Sequence, residues 1–334
     1  MLRHTISAST LCLLLASASP AMGQPAPEAP ISAAQMLARL APLGNIQAKV
    51  FPRETGERSL RIYLSVPAGK APEQGWPVLY MLDGNATLLA VADAIAHARG
   101  VPNGSPSIPP GLQPGDADLA TRAVLVAIGY DIDARLDVET RSWDYTPTPP
   151  GAGAQGGVDL MRPTRRNGGA DALLDTIEHQ IMPWVRTLAP VNEHRRLLYG
   201  HSYGGLFTLY ALTQRPSLFQ HYIAASPSLW WHAPYMEDRL KAAFGQAGCK
   251  PGGLALDLMA GSEEKLRQQP DRHAPRTDVR ALAQALASHQ CLRVRYTAFE
   301  GLGHGPMLPA SALAAVRIAG GLPPVGESGA DAEK

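Results

Sequence analysis

Residues 199–205 read YGHSYGG, placing Ser202 between Gly200 and Gly204. The apolar run RRLLY precedes this stretch and the helical pattern LFTLYALTQ follows it. A serine on a sharp strand-to-helix turn is the context that gives a G-x-S-x-G pattern chemical meaning. Glycines leave room for the tight backbone, and the helix amino terminus favours negative charge beside the hydroxyl. The competing reading is a turn that merely contains a serine. If Ser202 is a nucleophile, it needs a base, because a serine hydroxyl attacks poorly at neutral pH.

The chain holds ten histidines. His304, in EGLGHGPM, has the placement expected of that base: a glycine-flanked loop just beyond the last strand-like run. A loop histidine that caps the last helix is the plain alternative. His201 adjoins the serine but points away from its reactive side, so it is expected to pack or to orient a loop. The orienting acid belongs after the preceding strand, in AGSEEKLRQQPDR. Glu264 is favoured there, with Glu263, Asp271 and Asp278 as alternatives and a Ser–His dyad also open. An oxyanion needs preorganised donors. The Tyr203 N–H is one, and Gly84 or Asn85 in YMLDGNATL is the other, unless that segment is only a turn.

These groups need a frame. Eight short runs rich in Val, Ile, Leu and Tyr read as strands: IQAKVF, SLRIYLSVP, WPVLYMLDG, RAVLVAIGY, RRLLYGHS, QHYIAASPS, LALDLMAG and LRVRYTAFE. The first two alternate and suggest an antiparallel hairpin. The later ones are continuously apolar, as in parallel strands covered on both faces. Helical patterns lie between them: ATLLAVADAIAHA, ADALLDTIEHQIMPWVRTL with a kink at Pro183, LFTLYALTQ, APYMEDRLKAAFGQ, TDVRALAQALASH and PASALAAVRIAG. The expected fold class is α/β, a mostly parallel sheet of about eight strands with helices on both faces. Residues 100–120 and 145–169 are Gly/Pro-rich and too long for ordinary connectors, so they read as disordered segments or mouth loops.

The 334 residues carry a net charge of +1, with 18% charged residues. Nothing there attracts nucleic acid or an anionic membrane. Residues 1–23 have a basic start, a short apolar run and a small-residue end, the pattern of a signal peptide cleaved after Gly23, with an uncleaved anchor as competitor. Residues 24–40 form a Pro/Ala tether and the start of the domain, 41–322 the catalytic domain, and 323–334 a flexible tail. Export makes the location periplasmic or secreted, with no membrane span after signal removal. Cys249 and Cys291 then pair as a disulfide or remain two buried thiols. No HExxH, phosphate loop or dinucleotide fingerprint is present, so catalysis is expected to need no metal or cofactor.

The segments PVLYMLDGNA, RSWDYTPT, GGADALLDTIEHQIMPWV, YGHSYGGLFTLYAL, SPSLWW and GHGPM together resemble the esterase branch of the α/β-hydrolases. They are most similar to siderophore esterases that cleave enterobactin-like and salmochelin-like trilactones. The resemblance runs from about Gln47 to the last helix. It implies an α/β-hydrolase fold, Ser202 as nucleophile, His304 as base and Asp83-Gly84-Asn85 as the oxyanion turn. Some members are dyads, which leaves Glu264 open. The implied partner is a small-molecule ester, and opening a catecholate trilactone would aid iron release. An anionic tricatecholate calls for cations and aromatic rings, for which Arg141, Arg162, Arg165, Arg166, Trp230 and Trp231 are candidates. Three arginines on a loop also fit a plain solvated surface. The alternatives are a general exported carboxylesterase for other acyl or aryl esters, an acyltransferase, and a non-catalytic siderophore-binding protein.

Overall fold

The computed structural model describes residues 30–325 and 327–328, apart from 54–56, 103–109, 161, 245–252 and 265–277. The expected signal peptide therefore lies outside the described residues, as do Cys249 and Asp271.

The first described element was not anticipated. Helix α1 (Ala33–Leu40) follows the tether and is closed by a capping box between Ser32 and Gln35. It buries Met36 and Leu40. Strands β1 (Asn45–Phe51) and β2 (Leu60–Val66) pair antiparallel, as their alternation predicts. Then come β3 (Trp76–Met81), α2 (Gly84–Ala98) and the wholly buried β4 (Val124–Tyr130). A short helix, α3 (Thr140–Asp144), precedes the second Gly/Pro-rich segment, and a two-rung hairpin of β5 (Gly157–Val158) and β6 (Arg166–Asn167) gives order to that segment, which read as disordered or a mouth loop. A 3-10 segment, Pro114–Thr121, does the same in the earlier loop.

Helix α4 (Ala170–Thr176) passes through one π turn (Ile177–Ile181) into α5 (Met182–Leu188). Pro183 has no N–H for the His179 carbonyl, and the π turn just before it takes up the offset instead of a break. Strand β7 (Val191–His201) leads into α6 (Tyr203–Gln214). Strand β8 (His221–Ala225), α7 (Tyr235–Phe244), β9 (Leu254–Gly261), α8 (Val279–Ala287), β10 (Leu292–Phe299), α9 (His304–Ala319) and β11 (Glu327–Ser328) complete the chain. Helix α9 begins at His304 itself, five residues before the expected start, so His304 stands in a helix's first turn and not on a free loop.

The strand order is β1-β2-β4-β3-β7-β8-β9-β10-β11. Pairs from β4 through β10 are parallel, and the flanking pairs are antiparallel. One sheet face packs against α4 to α8 through residues such as Leu173, Ile177, Leu206, Phe207 and Leu282. The other packs against α1, α2 and α9 through Leu88, Ile95, Met307 and Leu313. In register, His201 pairs with Ala225, Ala225 with Met259, and Gly261 with Phe299. The carboxyl ends of four strands thus reach one edge together, the edge at which open α/β sheets build their sites.

In the middle of β9, Asp257 is buried between His221 of β8 and Arg295 of β10. Burial alone would raise its carboxyl, but hydrogen bonds and charge from these two partners hold it below the ordinary value of 3.8. A depressed folded-state pKa gives stability that is present above the unfolded value and lost as pH falls through the folded one. Melting temperature of the wild type is therefore expected to drop as pH falls below about 4. Asp257→Asn should lie lower at neutral pH and change less over that acidic span, as thermal melts from pH 7 to pH 3 would show.

Candidate active site

Ser202 sits between β7 and α6 at φ 60° and ψ −116°. Such a backbone is strained for a residue with a side chain, and neighbours must hold it. They do so through every main-chain group of the residue. The Ser202 N–H donates to Ala225 O (3.0 Å), and its carbonyl accepts from Leu206 N (3.0 Å) and Ser228 N (3.1 Å). Gly200 is obligatory here, since a Cβ on it would lie 2.2 Å from Gly204 O. Gly205 lets α6 approach the next loop, for its Cβ would meet Ala225 O at 2.8 Å. Gly204 is less constrained, with nothing nearer than 3.5 Å.

His304 Nε2 lies 3.0 Å from Ser202 Oγ, and His304 Nδ1 lies 3.0 Å from Glu264 Oε2. The residues expected at the ends of β7, β9 and β10 therefore meet in one hydrogen-bonded line. Glu264 is itself anchored: its Oε1 accepts from Gly261 N (2.8 Å) and from Ser226 Oγ (2.6 Å). Partial burial would raise the Glu264 carboxyl, but the bonds from His304, Gly261 and Ser226 outweigh it and keep the group below its usual range. It remains an anionic acceptor at neutral pH. Of the other acids considered, Glu263 is exposed and Asp278 caps α8 by accepting from Ala281 N.

His201 is buried with its ring 4.7 Å from that of His304. Burial, then the nearby His304 and Arg141, push its pKa well down, so it stays neutral. Its ring packs against that of His304 with the two planes tilted by 41°, in keeping with the packing role expected from its position.

At the end of β3, Asp83 adopts a left-handed backbone (φ 52°) and forms the amino-terminal cap position of α2. Its N–H is taken by Tyr145 Oη (2.9 Å). Gly84 packs directly on β4, where a Cβ would lie 2.6 Å from Ala127 C. The Asn85 carboxamide binds the Tyr130 N–H and the Tyr130 and Ala134 carbonyls. The backbone N–H groups of Gly84 and Asn85 open the first turn of α2, as that of Tyr203 opens α6, where helices leave N–H donors without intrahelical acceptors.

Arg141 is placed differently from a mouth residue. It is buried, its Nε and Nη2 donate to Asp83 Oδ1 and Oδ2 (2.8 and 2.7 Å), and Nη2 also reaches His201 O (3.3 Å). Its charge serves the Asp83 turn and braces the strand end that carries the serine. Arg165 pairs with Glu139 (3.2 Å), and Arg166 lies over the Trp143 ring (4.1 Å to the centroid). Arg162 is exposed, its N–H bonded to Asp159 Oδ1 (2.9 Å). Buried Asp159 in turn accepts from Tyr203 Oη, which ties the arginine-bearing hairpin to the residue after Ser202. Trp230 packs on Tyr203 (5.7 Å between rings), while Trp231 is buried with its Nε1 bonded to Asn167 Oδ1 (2.9 Å). Cys291 is disulfide-bonded, and its expected partner, Cys249, is outside the described residues.

Sequence reading missed Ser226, Ser228 and the Asp83 carboxylate. The first two had a signal, since SPS closes a strand-like run at the same sheet edge as the other candidates. The pairing of Asp83 with Arg141 had none, as 58 positions separate them.

The fold and this arrangement define a serine hydrolase of the α/β-hydrolase class. The Esterase family model ("Putative esterase") matches residues 150–301. The chain is 31% identical to an apo-salmochelin esterase of Escherichia coli, over 80% of this chain and 76% of that protein. It is 29% identical to a ferri-bacillibactin esterase of Bacillus subtilis, over 82% and 89%. A solved siderophore hydrolase from Aspergillus nidulans superposes with a TM-score of 0.61 at 26% identity, covering 83% of this chain and 95% of that one. The chain belongs to this esterase family and is a serine carboxylic ester hydrolase.

Removing the charge of Asp83 would strand the Arg141 guanidinium in a buried place. Asp83→Asn is expected to lower unfolding stability by about 3–5 kcal/mol. The double variant Asp83→Asn/Arg141→Met should recover part of that loss. Denaturant unfolding of the two proteins and the wild type checks both.

Proposed function

We propose that this chain is an exported serine esterase that hydrolyses the lactone esters of a catecholate siderophore, such as an enterobactin-like trilactone, and so aids release of iron. The observation that carries the reading is the continuous line Ser202 Oγ–His304–Glu264, with both links at 3.0 Å. The relatives named for salmochelin and bacillibactin esters support the substrate class. The signal-peptide pattern of residues 1–23 supports export to the periplasm.

In this reading Ser202 attacks the ester carbonyl while His304 Nε2 takes the hydroxyl proton. Glu264 holds His304 in the Nδ1–H tautomer and stabilises the imidazolium that forms. The Tyr203 N–H and one N–H of the Gly84–Asn85 turn bind the oxyanion. His304 then returns the proton to the departing alkoxide. Water attacks the acyl-serine by the reverse relay and frees a carboxylic acid. The lactone ring holds three catechol arms converged on the metal, and opening it removes that preorganisation. Iron belongs to the substrate here. Arg162 and Arg166, on the hairpin tied to Tyr203, are the predicted side chains for an anionic form, with Trp230 as an aromatic wall. Arg141 and Arg165, both already paired, serve instead to hold the loops that carry them.

Ser202→Ala and His304→Ala are expected to abolish turnover of a tricatechol trilactone, followed by chromatography of its linear products with and without iron. Glu264→Gln should lower kcat by roughly 10³–10⁴-fold with little change in KM. If a simple p-nitrophenyl ester is cleaved with higher kcat/KM than either form of the trilactone, the siderophore assignment fails and a general carboxylesterase remains. Amino-terminal sequencing of protein recovered from the periplasm should begin at Gln24.

A further inference from the structure

A second hydroxyl lies against the nucleophile. Ser228 Oγ is 3.4 Å from Ser202 Oγ, and Ser228 is buried. Its backbone is fixed to the same turn, because the Ser228 N–H donates to the Ser202 carbonyl (3.1 Å). Among the described residues, Ser202 Oγ is the one hydrogen-bond partner of the Ser228 hydroxyl.

The direction of that contact follows from proton counting. Glu264 is an anionic acceptor, so the proton between it and His304 sits on Nδ1. Nε2 of the neutral ring is then an acceptor, and the Ser202 hydroxyl donates its single proton to it. Nothing remains on Ser202 to give to Ser228. The proton in the serine–serine contact therefore comes from Ser228, and the Ser202 oxygen receives it on a lone pair.

We infer that Ser228 is a further catalytic residue, a hydroxyl donor aimed at the nucleophilic oxygen itself. As Ser202 loses its proton to His304, negative charge grows on Oγ before the bond to the acyl carbon is complete, and a donor already in place stabilises it. The same charge returns when Oγ leaves the acyl carbon in deacylation, so the hydroxyl serves both half-reactions. No proton is transferred from Ser228 and no bond to it forms. The 3.4 Å separation is that of a resting site, and such contacts tighten as charge develops. The pair Ser226 and Ser228 divides the work of one short loop after β8: one hydroxyl holds the acid, the other faces the nucleophile.

This inference rests on Ser202 as the nucleophile, and a fluorophosphonate probe tests it apart from any question of natural substrate. Wild type, Ser228→Ala and Ser228→Thr are compared for the second-order rate of labelling at Ser202, located by mass spectrometry, and for hydrolysis of p-nitrophenyl butyrate. Ser228→Ala is expected to slow labelling and kcat by about 10- to 100-fold with KM within about twofold of wild type. Ser228→Thr, which keeps the hydroxyl, should recover most of both rates. Melting temperatures establish that each variant is folded. Wild-type rates in Ser228→Ala overturn the inference, as does an equal loss in a normally folded Ser228→Thr. Failure of the wild type to label at Ser202 would instead overturn the nucleophile assignment beneath it.

Discussion

The structure depends on a single strained residue. Ser202 holds a positive φ that a residue with a side chain adopts only under constraint, and that constraint is assembled from three directions. Strand β8 takes its N–H, α6 and the Ser228 backbone bind its carbonyl, and Gly200 and Gly205 remove Cβ atoms that would collide around the turn. The strain puts the hydroxyl at the carboxyl edge of the sheet, clear of the backbone. Parallel strands in register then deliver the ends of β8, β9 and β10 to the same edge.

Around that residue the charges are arranged in two separate systems. One is the hydrogen-bonded line from Ser202 through His304 to Glu264, whose carboxylate is kept ionised by His304, Gly261 and Ser226. The other is the buried pair of Asp83 and Arg141, which braces the backbone at His201 and shapes the start of α2. His201 stands between them, neutral, with its ring against His304. A positive charge there would oppose formation of the imidazolium, so its burial keeps the two systems from interfering.

Much of this was legible in the order of residues. All eight expected strands form: the first two as an alternating antiparallel pair, the later six because continuous apolar runs bounded by Gly, Pro and Asp have few other ways to bury themselves. Ser202, Glu264 and His304 could be picked out because each follows a strand-like run, and strand ends share an edge. Helix α1 escaped notice because a tether of Pro and Ala precedes it and only Met36 and Leu40 reach the core. Segment 145–169 read only as disordered or a mouth loop because its order comes from contacts distant in sequence: Asp159 with Tyr203, Asn167 with Trp231. Arg141 read as a mouth cation because nothing local reveals a partner 58 residues away.

By itself the sequence determined the α/β architecture, the elbow serine and the histidine brought back to it, since those follow from local hydrophobic runs and glycine spacing. Only the tertiary structure put Glu264, and not Glu263 or Asp278, against His304, paired Arg141 with Asp83 and set Ser228 beside Ser202. Those choices turn on distances between side chains carried by different strands and loops. No periodicity along the chain encodes such distances, because they are set by how the strand ends align and how the connecting loops fold back.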